Sequence, residues 1–176
     1  EIGSGLVGSE MCIRDSVLVE GLHALNPKLT YFVPGYQQMR IYLSALTQIN
    51  INNHNRISTS DTRLLRRMVR DVQYRGYSPE DTLSIWKSVR RGEEENIFSF
   101  QNRADCIFNS ALIYELPVLK KMTRPMLERI KKGNPLYPEA QRLIHFFEPF
   151  RELSDDFVPD NSILREFIGY KKAKFP

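Results

Sequence analysis

The sequence predicts an α/β protein in which short parallel strands are flanked by helices and the C-terminal part is helical. Apolar runs rich in β-branched residues and bounded by polar ones are typical of buried parallel strands. Such runs occur at 17–21 (VLVEG), 39–45 (MRIYLSA) and 104–110 (ADCIFNS). Between and after them, apolar residues recur at helical spacing. With 176 residues, 41% of them hydrophobic, the chain is long enough to form one domain with a core.

Residues 1–16 (EIGSGLVGSEMCIRDS) are interpreted as a foreign-looking leader, because they show neither strand nor helix periodicity. We therefore expect the fold to occupy residues 17–176. No apolar run reaches the roughly 20 residues that a membrane-spanning helix needs, so no membrane partner is expected. Cys12 and Cys106 provide no disulfide framework, which favours a cytoplasmic location. Cys106 is expected in the core.

The run at 17–21 ends in Glu20 and Gly21. A carboxylate at the C-terminal end of a buried parallel strand is well placed to bind Mg²⁺, directly or through water. An acidic residue followed by glycine is also ordinary turn chemistry. The residues alone leave both interpretations open.

The clearest helix prediction lies within residues 56–77 (RISTSDTRLLRRMVRDVQYRGY). Ser60 is the predicted N-cap, and Asp61 falls in the first turn, where the helix dipole favours a carboxylate. Gly76 marks the end of the helix. This segment holds six arginines and two acids, a net charge of +4 that equals the formal net charge of the whole chain. The rest of the chain is therefore electrically balanced.

This helix is predicted to have an apolar face for burial and a basic face for anions, with Arg66 outside the basic face. At about 100° per residue, the apolar face consists of Leu64, Leu65, Met68, Val69 and Val72. The basic face consists of Arg63, Arg67 and Arg70, and Asp71 offers Arg67 a local ion pair. Arginine favours planar, bidentate partners such as phosphate or carboxylate. A solvated face with surface ion pairs is the alternative.

A further helix is predicted to start at Ser78 as N-cap, with Pro79 in the first turn, and to end at Gly92. The acidic residues 93–95 are interpreted as the solvated start of another helix. The remaining predicted helices cover 115–132, 138–153 and 162–168, with the last ending at Gly169. His145, which is flanked by apolar residues, is expected to be at least partly buried.

The chain resembles the C-terminal half of P-loop kinases of the uridine kinase and phosphoribulokinase family. The resemblance lies in the order of its segments, which is a strand, EG, a second strand, DTRLLRRMVRDVQYRG and a short strand. The stretches EGLHALNPKLT, NNHNRISTSDTRLLRRMVRD and SILREFIG are still more similar to bacterial nucleoside kinases with a threonyl-tRNA synthetase-like N-terminal region. The resemblance covers residues 17 to about 169. It implies a partial P-loop kinase fold and an ATP- and Mg²⁺-dependent phosphotransferase that acts on a hydroxyl of a nucleoside.

The resemblance also implies roles for individual residues. Lid arginines of this family close over the nucleotide and the transferred phosphoryl group, where charge spreads in the transition state. The catalytic lid residues are thus Arg67, Arg70 and Arg75, and the Mg²⁺ ligand is Glu20. The candidate substrate-binding residues are Arg63, His23 and His54, although each histidine taken singly is an ordinary loop residue.

Two departures from the family pattern limit these implications. Uridine-cytidine kinases have a further arginine where this chain has Tyr77, so uridine specificity is not implied. The phosphate-binding motif G-x-x-x-x-G-K-[ST] does not occur in the 176 residues. We therefore expect the phosphate-binding loop in an upstream half of the protein, and this chain to be an inactive fragment that exposes an apolar sheet edge.

One alternative function is a nucleic-acid-binding module that uses the Arg-rich helix 61–75. It would need basic residues over a broad face, whereas the excess charge is confined to one segment. Another alternative is a purely structural domain. The sequence leaves open which nucleoside and which triphosphate are used, and whether the chain associates with a second copy.

Overall fold

The computed structural model describes residues 16–47 and 56–170 and has a mixed α/β fold. Two strands and five α-helices are present in these residues, and the first helix continues as a π-helical turn, Asp71–Arg75. In chain order they are β1 (Ile41–Ser44), α1 (Thr59–Arg70), α2 (Pro79–Asn96), β2 (Cys106–Asn109), α3 (Glu115–Leu127), α4 (Tyr137–Phe146) and α5 (Arg165–Ile168).

Strands β1 and β2 pair in parallel. The N–H of Cys106 donates to the carbonyl of Arg40 at 3.2 Å, and the N–H of Ser110 donates to the carbonyl of Ser44 at 2.9 Å. The strands predicted at 39–45 and 104–110 are thereby confirmed, with somewhat narrower bounds. Their predicted burial is wrong, because β1 alternates exposed and buried residues and the two apolar residues Ile107 and Phe108 of β2 are 53% and 58% exposed. Cys106 is half-buried and not in the core.

The strand predicted at 17–21 is wrong. Residues 16–20 have no regular secondary structure, and the side chains of Val17 and Leu18 are 75% and 88% exposed. A strand needs a neighbouring strand for its backbone groups and a surface against which to pack. Within the part of the chain that the structure describes, the sheet consists of β1 and β2 only. A β-branched composition therefore produced no strand here.

The contacts divide the described residues into two units. The first contains the residues up to Tyr42 together with Gly92–Cys106, and the second contains Leu43–Arg91 and the residues from Ile107 onward. The second unit holds the buried core, in which α1 packs against α3 and α5, and α3 packs against α4. The apolar face of α1 is buried as predicted at Leu64, Leu65, Met68 and Val69, whereas Val72 is half-buried.

Several helix ends differ from the predictions. The N-cap of α1 is Ser58 and not Ser60, since the Ser58 hydroxyl accepts from the N–H of Asp61 at 3.2 Å. Helix α2 starts at Pro79 as predicted but continues through Gly92 to Asn96. A glycine inside a helix costs only about 1 kcal/mol, which is too little to end it against other favourable contacts. Residues 93–95 are therefore the end of α2 and not the start of another helix.

The later helices are shorter than predicted. Helices α3 and α4 pass into turns after Leu127 and Phe146, whereas α5 begins only at Arg165 and ends before Gly169 as predicted. His145 on α4 is exposed and not buried, and its Nδ1 lies 2.8 Å from the carbonyl oxygen of Gln141. Leu143 and Phe147 on the same segment are fully buried. Since side chains next to each other in sequence point to different sides of a helix, apolar sequence neighbours did not bury His145.

Candidate anion-binding site on helix α1

The site lies where α1 passes into the π-helical turn. Arg67 and Arg70 are in the last turn of α1, Asp71 begins the π-helical turn, and Arg75 ends it. Gly76 follows with φ of +69°, a left-handed conformation that suits glycine, and its N–H donates to the carbonyl of Asp71. The prediction that Gly76 ends this helical segment is confirmed.

Three arginines converge on the carboxylate of Asp71, which is fully buried. Arg67 Nε lies 3.0 Å from Oδ2, while Arg75 Nη1 and Arg70 Nε lie 3.3 and 3.8 Å from Oδ1. Among the described residues, no hydrogen bond of ordinary geometry reaches either oxygen of Asp71, so the interaction is mainly one of charge. We call Arg67, Arg70, Arg75 and Asp71 together the arginine cluster.

The arginine cluster carries more positive than negative charge. Three guanidinium groups face one carboxylate, which gives these four residues a net charge of +2, and Glu166 is a further acid near Arg70. Burial and the nearby Arg75 lower the pKa of Arg70, while Asp71 and the exposed Glu166 oppose this shift. An arginine remains protonated at neutral pH even so. The positive charge is therefore present in the folded protein.

The arginine side chains are partly open to solvent. The exposed fractions are 22% for Arg67, 29% for Arg70 and 46% for Arg75. A guanidinium is planar with donors pointing in several directions, so an ion pair through Nε leaves the edge formed by Nη1 and Nη2 directed elsewhere. Asp71 thus pairs with the Nε side of Arg67 and Arg70, and the Nη donors of both arginines point away from it.

Arg63, the remaining residue of the predicted basic face, is half-buried one turn before Arg67. Its Nη1 donates to the hydroxyl of Ser44, at the end of β1, at 3.4 Å. The structure therefore brings together the three predicted lid arginines and places the candidate substrate-binding Arg63 beside the sheet.

Arg66 has a role that sequence reasoning missed. It is only 6% exposed, its Nε donates to Glu115 Oε2 at 2.9 Å, and its Nη2 donates to the same oxygen and to the Ser110 carbonyl. The Phe167 ring lies 5.2 Å from the guanidinium carbon. Burial raises the pKa of Glu115, and Arg66 opposes that shift. Arg66 ties α1 to α3 and to the end of β2.

The other predicted site residues lie elsewhere. Glu20 and His23 belong to the first unit, where both are exposed and neither is part of a helix or strand. His54 lies outside the described residues. Within residues 16–47 and 56–170, no three His, Cys, Asp or Glu side chains are grouped to hold a metal ion. The Mg²⁺-binding role of Glu20 stays a prediction.

Comparison of the chain with known protein families, with curated proteins and with solved structures gives no match. In the described part of the chain, every helix is too short or too polar to cross a membrane. A functional assignment therefore depends on the chemistry of the arginine cluster itself.

Proposed function

We propose that the arginine cluster binds the phosphate groups of a nucleotide, as the lid of an ATP-dependent phosphotransferase that acts on a nucleoside-like hydroxyl. The observation that carries this proposal is the convergence of Arg67, Arg70 and Arg75 on the buried carboxylate of Asp71. A surface ion pair needs one arginine for one carboxylate. Three arginines for one carboxylate favour a second, external anion.

Phosphate is the anion that best fits the chemistry of the site. A terminal phosphate group carries about two negative charges at neutral pH, which matches the net charge of the arginine cluster. Its oxygens accept paired hydrogen bonds from guanidinium edges. In phosphoryl transfer the charge spreads over the transferred group, so arginines that surround it stabilise the transition state.

The cofactors in this proposal are ATP and Mg²⁺. Mg²⁺ is commonly held by one or two carboxylates together with substrate phosphates. Glu20 is compatible with the role of one such ligand, since its carboxylate is exposed, but it is not a complete site. The chain contains no G-x-x-x-x-G-K-[ST] motif. We therefore expect this chain to bind nucleotide phosphates without turnover.

The arrangement of α1 counts against nucleic-acid binding. Binding along a phosphate backbone needs cations spread over a continuous surface. Arg66 is buried, and Arg67, Arg70 and Arg75 are drawn to a single point. This helix therefore does not present an extended basic ridge.

The experiment measures pyrophosphate and ATP binding to the full chain by isothermal titration calorimetry. We expect Arg67→Lys, Arg70→Lys and Arg75→Lys each to weaken binding about tenfold, since an ammonium cannot replace a bidentate guanidinium. The matched control is Arg124→Lys on α3, because Arg124 is also 46% exposed and is paired with Glu128 at 2.9 Å. This control should bind like the wild type.

Two outcomes would overturn the proposal. One is the absence of pyrophosphate binding by the wild-type chain. The other is an equal, small loss in all four variants that follows salt concentration and is reproduced with a single-stranded oligonucleotide, which would favour general polyanion binding.

A further inference from the structure

The π-helical turn that carries Arg75 is buried at its first residue, Asp71, and open to solvent at its later residues. Its residues Gln73 and Arg75 are exposed, and Tyr74 is 57% exposed. π-helical turns are rare and occur mostly as single turns within or at the end of α-helices. A turn of this kind needs support from outside itself to hold one conformation.

That support comes from the end of α5. Gln73 Nε2 donates to the carbonyl of Ile168 at 3.3 Å. A Cβ added at Gly169 would lie 3.3 Å from Tyr74 Oη and 3.6 Å from Gln73 Oε1. Gly169 also has φ of +87°, which residues with a side chain rarely adopt. The backbone conformation therefore favours glycine at this position, and an added side chain would press on Tyr74 and Gln73 of the turn.

The segment behind this contact is itself held by Arg165. Arg165 is 1% exposed, and its guanidinium donates to the carbonyls of Asp155, Val158, Pro159 and Gly169. One buried side chain thus fixes both ends of residues 155–169. Four hydrogen bonds from one buried guanidinium hold such a loop in one arrangement.

We propose that residues 155–169 act as a brace for the π-helical turn, with Gln73 and Gly169 as positioning residues for Arg75. Arg67 and Arg70 are held by the backbone of α1, whereas Arg75 Nη1 reaches Asp71 Oδ1 at 3.3 Å only if the turn keeps its shape. The brace therefore fixes the position of Arg75, one of the three arginines of the arginine cluster. Its consequence for ligand binding rests on the proposed function, but the position of Arg75 does not.

The test uses the full chain with Gly169→Ala and, separately, Gln73→Ala. The readouts are the Nε–Hε NMR signals of Arg67 and Arg75, each assigned by its loss in the Lys variant, and pyrophosphate affinity. We expect both variants to shift the Arg75 signal, to leave the Arg67 signal in place, and to weaken pyrophosphate binding about fivefold, the value of one lost hydrogen bond.

The matched control is Gly133→Ala. Gly133 also has a left-handed φ, +99°, but an added Cβ would meet no atom within 4 Å. It therefore carries the same backbone strain without a contact to the turn, and it should change neither the Arg75 signal nor the affinity.

An unchanged Arg75 signal in Gln73→Ala, or an equal shift in Gly133→Ala, overturns the brace. Gln73 is exposed, so its variant decides the matter even if Gly169→Ala does not fold. If the wild type fails to bind pyrophosphate, the proposed function is wrong, while the Arg75 signal of the ligand-free protein still decides whether the brace exists.

Discussion

Arg66 and Arg67 are neighbours in α1, yet they meet opposite surroundings. Arg66 is buried and faces Glu115 one to one, with a further bond to the Ser110 carbonyl. Arg67 is partly exposed and shares the carboxylate of Asp71 with two other arginines. A balanced and buried pair holds elements of the fold together. An unbalanced and half-exposed cluster has charge left for a ligand.

The largest effect is expected at the balanced pair. Arg66→Ala leaves Glu115 as a buried carboxylate without its partner, which typically costs 3–5 kcal/mol, so we expect a loss of about 4 kcal/mol in the free energy of unfolding. Urea denaturation measures this loss. Arg67→Ala is the matched comparison and should cost about 1 kcal/mol or less, because it is partly exposed and Arg75 still faces Asp71.

The double variant Arg66→Met with Glu115→Leu serves as the control for this prediction. Replacing both members of a buried ion pair by apolar residues is often neutral, so most of the lost stability should return. Equal losses for Arg66→Ala and Arg67→Ala would contradict the distinction between the two sites.

A smaller loss of stability is expected at Asp71, where the substitution removes a negative charge instead of a positive one. Asp71→Asn keeps the shape of the side chain but removes the negative charge on which three arginines converge. The remaining repulsion should lower stability by about 1–3 kcal/mol. Pyrophosphate should restore part of it, because an external anion replaces the lost charge.

Differential scanning calorimetry with and without pyrophosphate measures this restoration. We expect the rise in Tm on adding pyrophosphate to be greater for Asp71→Asn than for the wild type, since ligand binding to the folded state stabilises it. The control is the same protein without pyrophosphate, in a sulfate-free buffer of matched ionic strength. An equal rise in both proteins would mean that Asp71 and the ligand do not share the arginines.

The sequence was informative where partners are close in the chain. The buried face of α1 and the pairing of Arg67 with Asp71 follow from helical spacing, since residues three and four apart are neighbours on a helix. The two parallel strands at 39–45 and 104–110 were also identified by their apolar runs. Gly76 was recognised because a helix end requires a residue that tolerates positive φ.

The sequence was uninformative where partners are distant in the chain. Glu115 lies 49 residues after Arg66, and Arg142 lies 81 residues after Asp61. No local pattern connects such pairs, because they depend on how α3 packs on α1 and how α4 packs on α3. The strand expected at 17–21 failed for the same reason, since a strand depends on a partner that composition does not reveal.

The smallest effect is expected at the third acid–arginine contact of α1, where Arg142 of α4 donates to both oxygens of Asp61 at 2.8 and 2.7 Å. The hydrogen bonds that Arg142 donates to Asp61 and Glu139 raise the pKa of Arg142, which alone would suggest a strong pair. Arg142 is 46% exposed, however, and solvent screens it. Asp61 is only 11% exposed, but the N-terminus of α1 still stabilises its charge when Arg142 is removed, so we expect the pair to contribute about 1 kcal/mol or less. Arg142→Ala should therefore lower the free energy of unfolding by less than about 1 kcal/mol and leave pyrophosphate affinity unchanged. Urea denaturation and calorimetric titration of this variant check both expectations. A loss as large as that of Arg66→Ala would contradict this expectation. It would mean that the geometry of an arginine–carboxylate pair, and not the burial of the arginine, determines how much the pair stabilises the fold.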